Sequence, residues 1–163
     1  MSALEFLSPA GCASETLASP LARALVGAPE SVRDLSADGK VELRGDLALV
    51  ELADGDELVR LTPRRGLLLT EDPLGAVERA RESGVRAYDM TGGLAGLAFE
   101  GETLFRRLTD LDPNELPTAG GFARVSAVLV RDDGERFRAY FPQELGHYVA
   151  EVVLDLLAGV ERP

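Results

Sequence analysis

The sequence predicts an α+β fold: two related antiparallel-sheet-plus-helix repeats within one domain. Three observations lead there. Asp34-Leu35-Ser36, a strand and Gly45-Asp46 are echoed by Asp89-Met90-Thr91, a strand and Gly101-Glu102. In each half a strand then runs straight into a helix, 66–70 into 73–83 and 136–141 into 142–158, as a duplicated unit would. The chain has 163 residues, 45% of them hydrophobic, which suits one domain burying roughly two-thirds of its unfolded surface. The expected division of residues 1–163 is an extension with a short helix (1–30), a first repeat (31–84) and a second (85–159).

The elements follow in order. Residues 1–18 are Ala/Ser-rich with few periodic apolar positions. Ser19-Pro20 reads as a helix cap followed by proline at the first position, with Leu21, Leu25 and Val26 at helical spacing and Gly27 as the stop. A polar stretch, 28–40, leads to a strand at 41–44, a turn at Gly45-Asp46 and a second apolar run at 47–52. Asp54-Gly55 signals a hairpin between that run and 58–61. Leu67-Leu68-Leu69 reads as a buried strand. Asp72 and Pro73 open a helix whose apolar side is Ala76, Val77 and Ala80, ending at Gly84.

Residues 85–90 and 94–99 read as strands, with Gly92-Gly93 as a bend between them. Gly101 precedes a short helix carrying Leu104, Phe105 and Leu108. Residues 110–121, holding Pro113, Pro117 and Gly120-Gly121, read as a loop. A hairpin around Asp133-Gly134 joins 123–131 to 136–141. The last helix carries Leu145, Tyr148, Val149, Val152, Val153, Leu156 and Leu157 as one broad apolar stripe, with Gly159 as its stop.

Composition narrows function. With 17 basic and 28 acidic side chains the net charge is −11. Lys40 is the only lysine, and Arg64-Arg65 and Arg106-Arg107 are isolated doublets, so no nucleic-acid partner is expected. Cys12 is the only cysteine, which excludes an intrachain disulfide and a Cys-rich zinc site. No signal peptide or membrane-spanning run is evident. The expectation is a cytoplasmic protein without a membrane partner; its homo-oligomeric state is left open.

Few side chains suggest chemistry. His147 is the only imidazole and falls at the border of the last helix's apolar stripe, a surface or boundary position. No G-x-S-x-G elbow supplies a serine. Nothing near Cys12 would lower its pKa, so it reads as an inert thiol. Asp110, Asp112 and Asn114 imitate the start of a calcium loop, but Glu115 and Gly121 stand where that loop needs Gly and Glu. Asp132-Asp133-Gly134-Glu135 is turn chemistry. Gly92-Gly93 and Gly96 lie inside a strand pair, so they do not match a dinucleotide fingerprint. Asp89 is the first residue to replace if the chain is a transferase, and reads equally well as a strand-end residue satisfying backbone donors. No catalytic or metal-binding residue is therefore expected, and the cofactor-binding residues are unknown. This thin inventory favours a binding or structural role.

From Arg60 onward the chain resembles a known family. Arg60-Leu61-Thr62-Pro63-Arg64-Arg65-Gly66-Leu67-Leu68-Leu69 is similar to the R-L-G-P-x-x-W-L-L-L segment of the gamma subunit of heterotetrameric sarcosine oxidase. Tyr88-Asp89-Met90-Thr91 with Leu97-Ala98-Phe99-Glu100-Gly101 resembles its D-[VL]-[ST]…G segment. Leu108-Thr109-Asp110-Leu111-Asp112-Pro113 resembles its C-x-[LI]-D-L stretch, without the cysteine. Phe141-Pro142-Gln143-Glu144-Leu145-Gly146-His147-Tyr148-Val149 resembles V-P-R-S-F-A-x-Y-L.

The resemblance implies the folate-binding fold of the glycine-cleavage aminomethyltransferase (T-protein), which is built from two related α+β repeats. It implies a non-catalytic accessory subunit in a folate-linked amine-oxidising assembly, with larger flavoprotein subunits as partners. The alternative is a stand-alone folate-like small-molecule binder or an aminomethyltransferase-like domain. Tetrahydrofolate is the cofactor the resemblance would allow. In the larger aminomethyltransferases that the resemblance brings in, catalysis uses an aspartate near an N-x-x-G-x-x-x-D turn. The corresponding hairpin here, Val130-Arg131-Asp132-Asp133-Gly134-Glu135, lacks the asparagine, so neither Asp132 nor Asp133 takes that role.

Overall fold

The computed structural model describes residues 19–160. Its elements are β1 (Val32–Asp34), β2 (Gly39–Arg44), β3 (Glu57–Thr62), β4 (Arg65–Thr70), α1 (Pro73–Glu82), β5 (Arg86–Asp89), β6 (Leu94–Glu100), α2 (Glu102–Leu108), β7 (Thr118–Phe122), β8 (Val125–Arg131), β9 (Arg136–Pro142) and α3 (Gly146–Val160). They form a five-stranded sheet, β1-β6-β9-β8-β7, and a four-stranded sheet, β3-β4-β2-β5. All pairings are antiparallel.

The sheets stack as the middle layers of a four-layer α+β arrangement. Leu104 and Phe105 of α2 and Val149 and Val153 of α3 pack with Leu97, Phe99 and Phe137 on the outer face of the five-stranded sheet. Ala76, Val77 and Ala80 of α1 pack with Val41, Leu43 and Leu68 on the outer face of the other sheet. Between the sheets lie Val59, Leu67, Leu69, Val130 and Tyr140. Leu68 thus serves one core while Leu67 and Leu69 serve another. A strand covered on both faces reads as a continuous apolar run, which is why Leu67-Leu68-Leu69 does not alternate.

The internal echo is geometric. Asp34 Oδ1 accepts from the Ser36 N–H at 2.8 Å, and Asp89 Oδ1 accepts from the Thr91 N–H at 2.9 Å. The Gly45 N–H donates to the Arg64 carbonyl and the Gly101 N–H to the Glu135 carbonyl, both at 2.9 Å. The order β8-β9-β6-β1 repeats β3-β4-β2-β5 strand for strand, with α3 following β9 as α1 follows β4. The first strand of each unit is exchanged. β1 pairs with β6 of the second unit, and β5 pairs with β2 of the first. The boundary between Gly84 and Val85 therefore does not separate the sheets.

Several elements match their sequence signals. Asp72 caps α1, its Oδ1 accepting from the Gly75 N–H at 3.0 Å with Pro73 in the first turn. β8 and β9 meet around Asp133-Gly134, where the Asp132 N–H donates to the Arg136 carbonyl at 3.0 Å.

Others differ. The expected helix after Pro20 is a run of turns with one helical-type bond, from the Leu25 N–H to the Leu21 carbonyl at 3.0 Å. A segment so short, bounded by Pro29, does not propagate a helix. The polar stretch 28–40 holds β1, and the expected loop 110–121 holds most of β7. Asp54-Gly55 turns the chain without making a hairpin. The run from Leu47 forms a single 3-10 turn capped by Asp46, and β3 pairs instead with β4. Pro142 ends β9, residues 143–145 form a 3-10 turn, and α3 continues through Gly159. Cys12 and the start of the extension lie outside the described residues.

Candidate functional site

A cleft of about 410 Å³ lies between the inner faces of the two sheets. Leu61 and Leu67 form the wall from the four-stranded sheet; Leu94, Val128 and Tyr140 form the opposite wall. Met90, just past β5, closes one side. The cleft is mostly apolar, with Glu42, Arg65, Ser126 and the Tyr140 hydroxyl as its polar groups. Its volume falls within the range of small-ligand sites.

Glu42 organises the mouth. Its Oε1 accepts from Arg44 Nε at 3.0 Å and from Arg65 Nε at 2.8 Å. Burial pushes the Glu42 carboxyl up, but the bonds from the two guanidiniums outweigh it and hold the pKa below the usual value. Arg44 also lies over the Tyr88 ring, 5.7 Å from its centroid.

The inner wall is tied by Arg138 on β9. Its Nη2 lies 2.8 Å from Glu57 Oε1 on β3 and 2.6 Å from Asp132 Oδ1, and its Nη1 donates to the Tyr140 hydroxyl at 3.3 Å. Burial works against the guanidinium charge, yet these partners leave its pKa raised. The Tyr140 phenol is pushed up to about 12 by burial, with Arg138 opposing part of the rise. These contacts brace the two sheets against each other beside the cleft.

The residues weighed from sequence are not assembled there. His147 sits on α3 in an outer helical layer, half exposed, with Nε2 3.2 Å from Glu151. Asp112 caps a 3-10 turn through the Asn114 N–H at 2.9 Å, and Asn114 Oδ1 accepts from Arg131 at 3.2 Å. Asp132 and Asp133 are engaged by Arg138 and Arg136. Gly92-Gly93 lies in the turn between β5 and β6, and Asp89 caps that turn through Thr91. Among the described residues no group of three or more His, Cys, Asp or Glu could hold a metal ion, and no helix is long and apolar enough to cross a membrane. Sequence reasoning missed Glu42, Arg44 and Tyr88; their alternation along β2 and β5 was visible, but their adjacency was not.

The fold and cleft define a two-sheet α+β chain built from two strand-exchanged units around a mostly apolar cleft. It is similar to a chain of the heterotetrameric sarcosine oxidase from Corynebacterium sp. U-96, a structure in complex with pyrrole 2-carboxylate. The TM-score is 0.72 at 16% identity, covering 90% of this chain and 97% of that one. The fold implied by the family resemblance is thus observed. Weaker likenesses are to aspartokinase III from E. coli (TM-score 0.46, 12% identity, 77% of this chain and 32% of that one) and to the regulatory subunit of aspartate kinase from Thermus thermophilus (0.46, 13%, 75% and 94%). No protein-family model matches the sequence, and no curated protein matches it.

Proposed function

We propose that this chain is a non-catalytic accessory subunit of a folate-linked amine-oxidising assembly, in the manner of the sarcosine oxidase gamma subunit. One observation carries the reading: the fold follows a sarcosine oxidase chain over 97% of that chain's length. The cleft supports it, since its two charged groups, Glu42 and Arg65, are held in an ion pair with each other and the only histidine lies elsewhere. The assembly works in the cytoplasm, which fractionation of the native cell tests. Affinity purification of the tagged chain from its native source recovers larger subunits carrying flavin absorbance. Recovery of a flavin-free monomer overturns the proposal.

The cleft itself favours a second reading, a folate-like small-molecule binder. Its apolar walls and volume suit a flat ring, and Glu42 supplies a carboxylate at the mouth. Tetrahydrofolate then raises the melting temperature of the purified chain, because a ligand that binds only the native state stabilises it. No shift at millimolar ligand removes this reading.

A further inference from the structure

The net charge of −11 conceals a basic face. Arg44 on β2 lies directly opposite Arg65 on β4 and Arg86 on β5. Directly opposed residues point to the same side of a sheet, so three adjacent strands carry an arginine row. With strands about 5 Å apart, the row spans about 10 Å. Glu42 and Tyr88, opposite each other two residues along, share this face, and Leu67 opposite Glu42 identifies it as the face that lines the cleft. The row therefore extends the cleft outward from its mouth.

The face is open. The side chains of Arg44 and Arg65 are 56% and 52% exposed, and Tyr88 is 44% exposed. Glu42 is the one carboxylate among the cleft-lining residues, and it fixes two of the guanidiniums in place. Arg86 has no side-chain hydrogen bond or ion pair to a described residue. Arginine and tyrosine beside Met90 and an apolar groove have the composition of a protein–protein interface core. A long polyanion would meet the repulsion of the rest of the chain, whereas a short acidic segment meets only the row.

We propose that this face docks an acidic segment of a partner subunit, with carboxylates on the Arg86–Arg44–Arg65 row and an apolar side chain in the cleft. The proposal rests on the accessory-subunit reading and names its contact surface.

The test uses the full chain and fluorescein-labelled hexapeptides, read by anisotropy. A peptide alternating Glu and Phe binds saturably; a Glu/Gly peptide binds more weakly and a Lys/Phe peptide does not bind. Arg44→Gln/Arg65→Gln/Arg86→Gln weakens the Glu/Phe peptide at least about tenfold, while Arg33→Gln/Arg106→Gln leaves it unchanged. Arg86→Gln alone, which breaks no side-chain ion pair among the described residues, weakens it about threefold and serves if the triple variant fails to fold. Absence of saturable binding, equal binding by the row variants, or tighter binding of a single-stranded oligonucleotide overturns the proposal. Co-purification separates the two readings. A partner retained by the folded row variant refutes this docking face and leaves the subunit reading standing. Peptide binding by a chain with no partner in its native source does the reverse.

Discussion

Lys40 and Gly96 occupy equivalent places in the two units and make the same two main-chain contacts. The Lys40 N–H donates to Thr91 Oγ1 at 3.1 Å and its carbonyl accepts from the Met90 N–H at 2.7 Å. The Gly96 N–H donates to Ser36 Oγ at 3.3 Å and its carbonyl accepts from the Leu35 N–H at 2.8 Å. Each exchanged strand is therefore tied, just past its end, to the sheet of the other unit.

The symmetry breaks at the side chain. A Cβ on Gly96 would sit 2.9 Å from the Leu35 carbonyl oxygen and 3.0 Å from its carbon, both main-chain atoms that cannot rotate away. Gly96→Ala is expected to lower stability by about 1–3 kcal/mol in urea unfolding. Gly92→Ala, where nothing lies within 4 Å, stays within about 0.5 kcal/mol. Equal effects at the two glycines would refute the close approach.

The Lys40 ammonium is fully buried and donates to the carbonyls of Leu35 (3.4 Å), Ser36 (3.0 Å) and Asp38. Burial lowers its pKa, with Asp38, Asp34 and Asp89 opposing. As the only lysine, it makes amine acylation a report of opening. Acetic anhydride leaves Lys40 unmodified in the native chain and acetylates it in urea, as followed by peptide mass. Acetylation at the unfolded rate without denaturant would contradict the packing.

Asp56 ties the Ala53–Asp56 turn to α1. Its side chain is 2% exposed, and Oδ2 accepts from the Ala53 N–H at 2.8 Å and from Arg79 Nη2 at 3.0 Å. Burial pushes this carboxyl up, but bonds from Thr70, Ala53 and Arg79 outweigh it and hold the pKa below 3.8. A depressed folded pKa gives stability that is complete above the unfolded value and lost as pH falls through the folded one. Asp56→Asn is expected to lose about 2 kcal/mol at neutral pH. The deficit relative to the parent chain shrinks below pH 3.8. Urea midpoints for both proteins across that range check it; a deficit that is constant with pH would rule it out.

Neither 19–84 nor 85–160 is expected to fold alone. Each would carry a first strand whose partner lies in the other piece. Mixed, the two regain the far-ultraviolet circular dichroism of the intact chain. Independent cooperative melting of either piece would show that the strand exchange is dispensable.

The sequence made the locally specified parts legible. α1 has a cap, a proline and an apolar face within one stretch, and the Asp133-Gly134 hairpin joins strands adjacent in the chain. β1 was not legible because only Val32 of its three residues is buried and its partner is distant. β7, Thr-Ala-Gly-Gly-Phe, has poor strand propensity and is held by β8 across a turn where Ala123 and Arg124 take positive φ. The cleft draws its walls from both sheets, so its chemistry appears only when Glu42 and Tyr140 are brought together by the fold.

The exchange of first strands also sets an order of events during synthesis. Val32 pairs with Phe99, so β1 leaves the ribosome long before its partner exists. The sheet formed by β2, β3 and β4 can close early through neighbouring contacts, while its edge stays open until Arg86–Asp89 has been made. A nascent chain thus carries β1 unpaired until Leu97–Phe99 have been made, and an unfilled edge on β2 until β5 follows α1. Non-local pairing of this kind is slow and open to misassembly with other chains. The polar residues Arg33 and Asp34, exposed in β1, keep the waiting strand from being a sticky one.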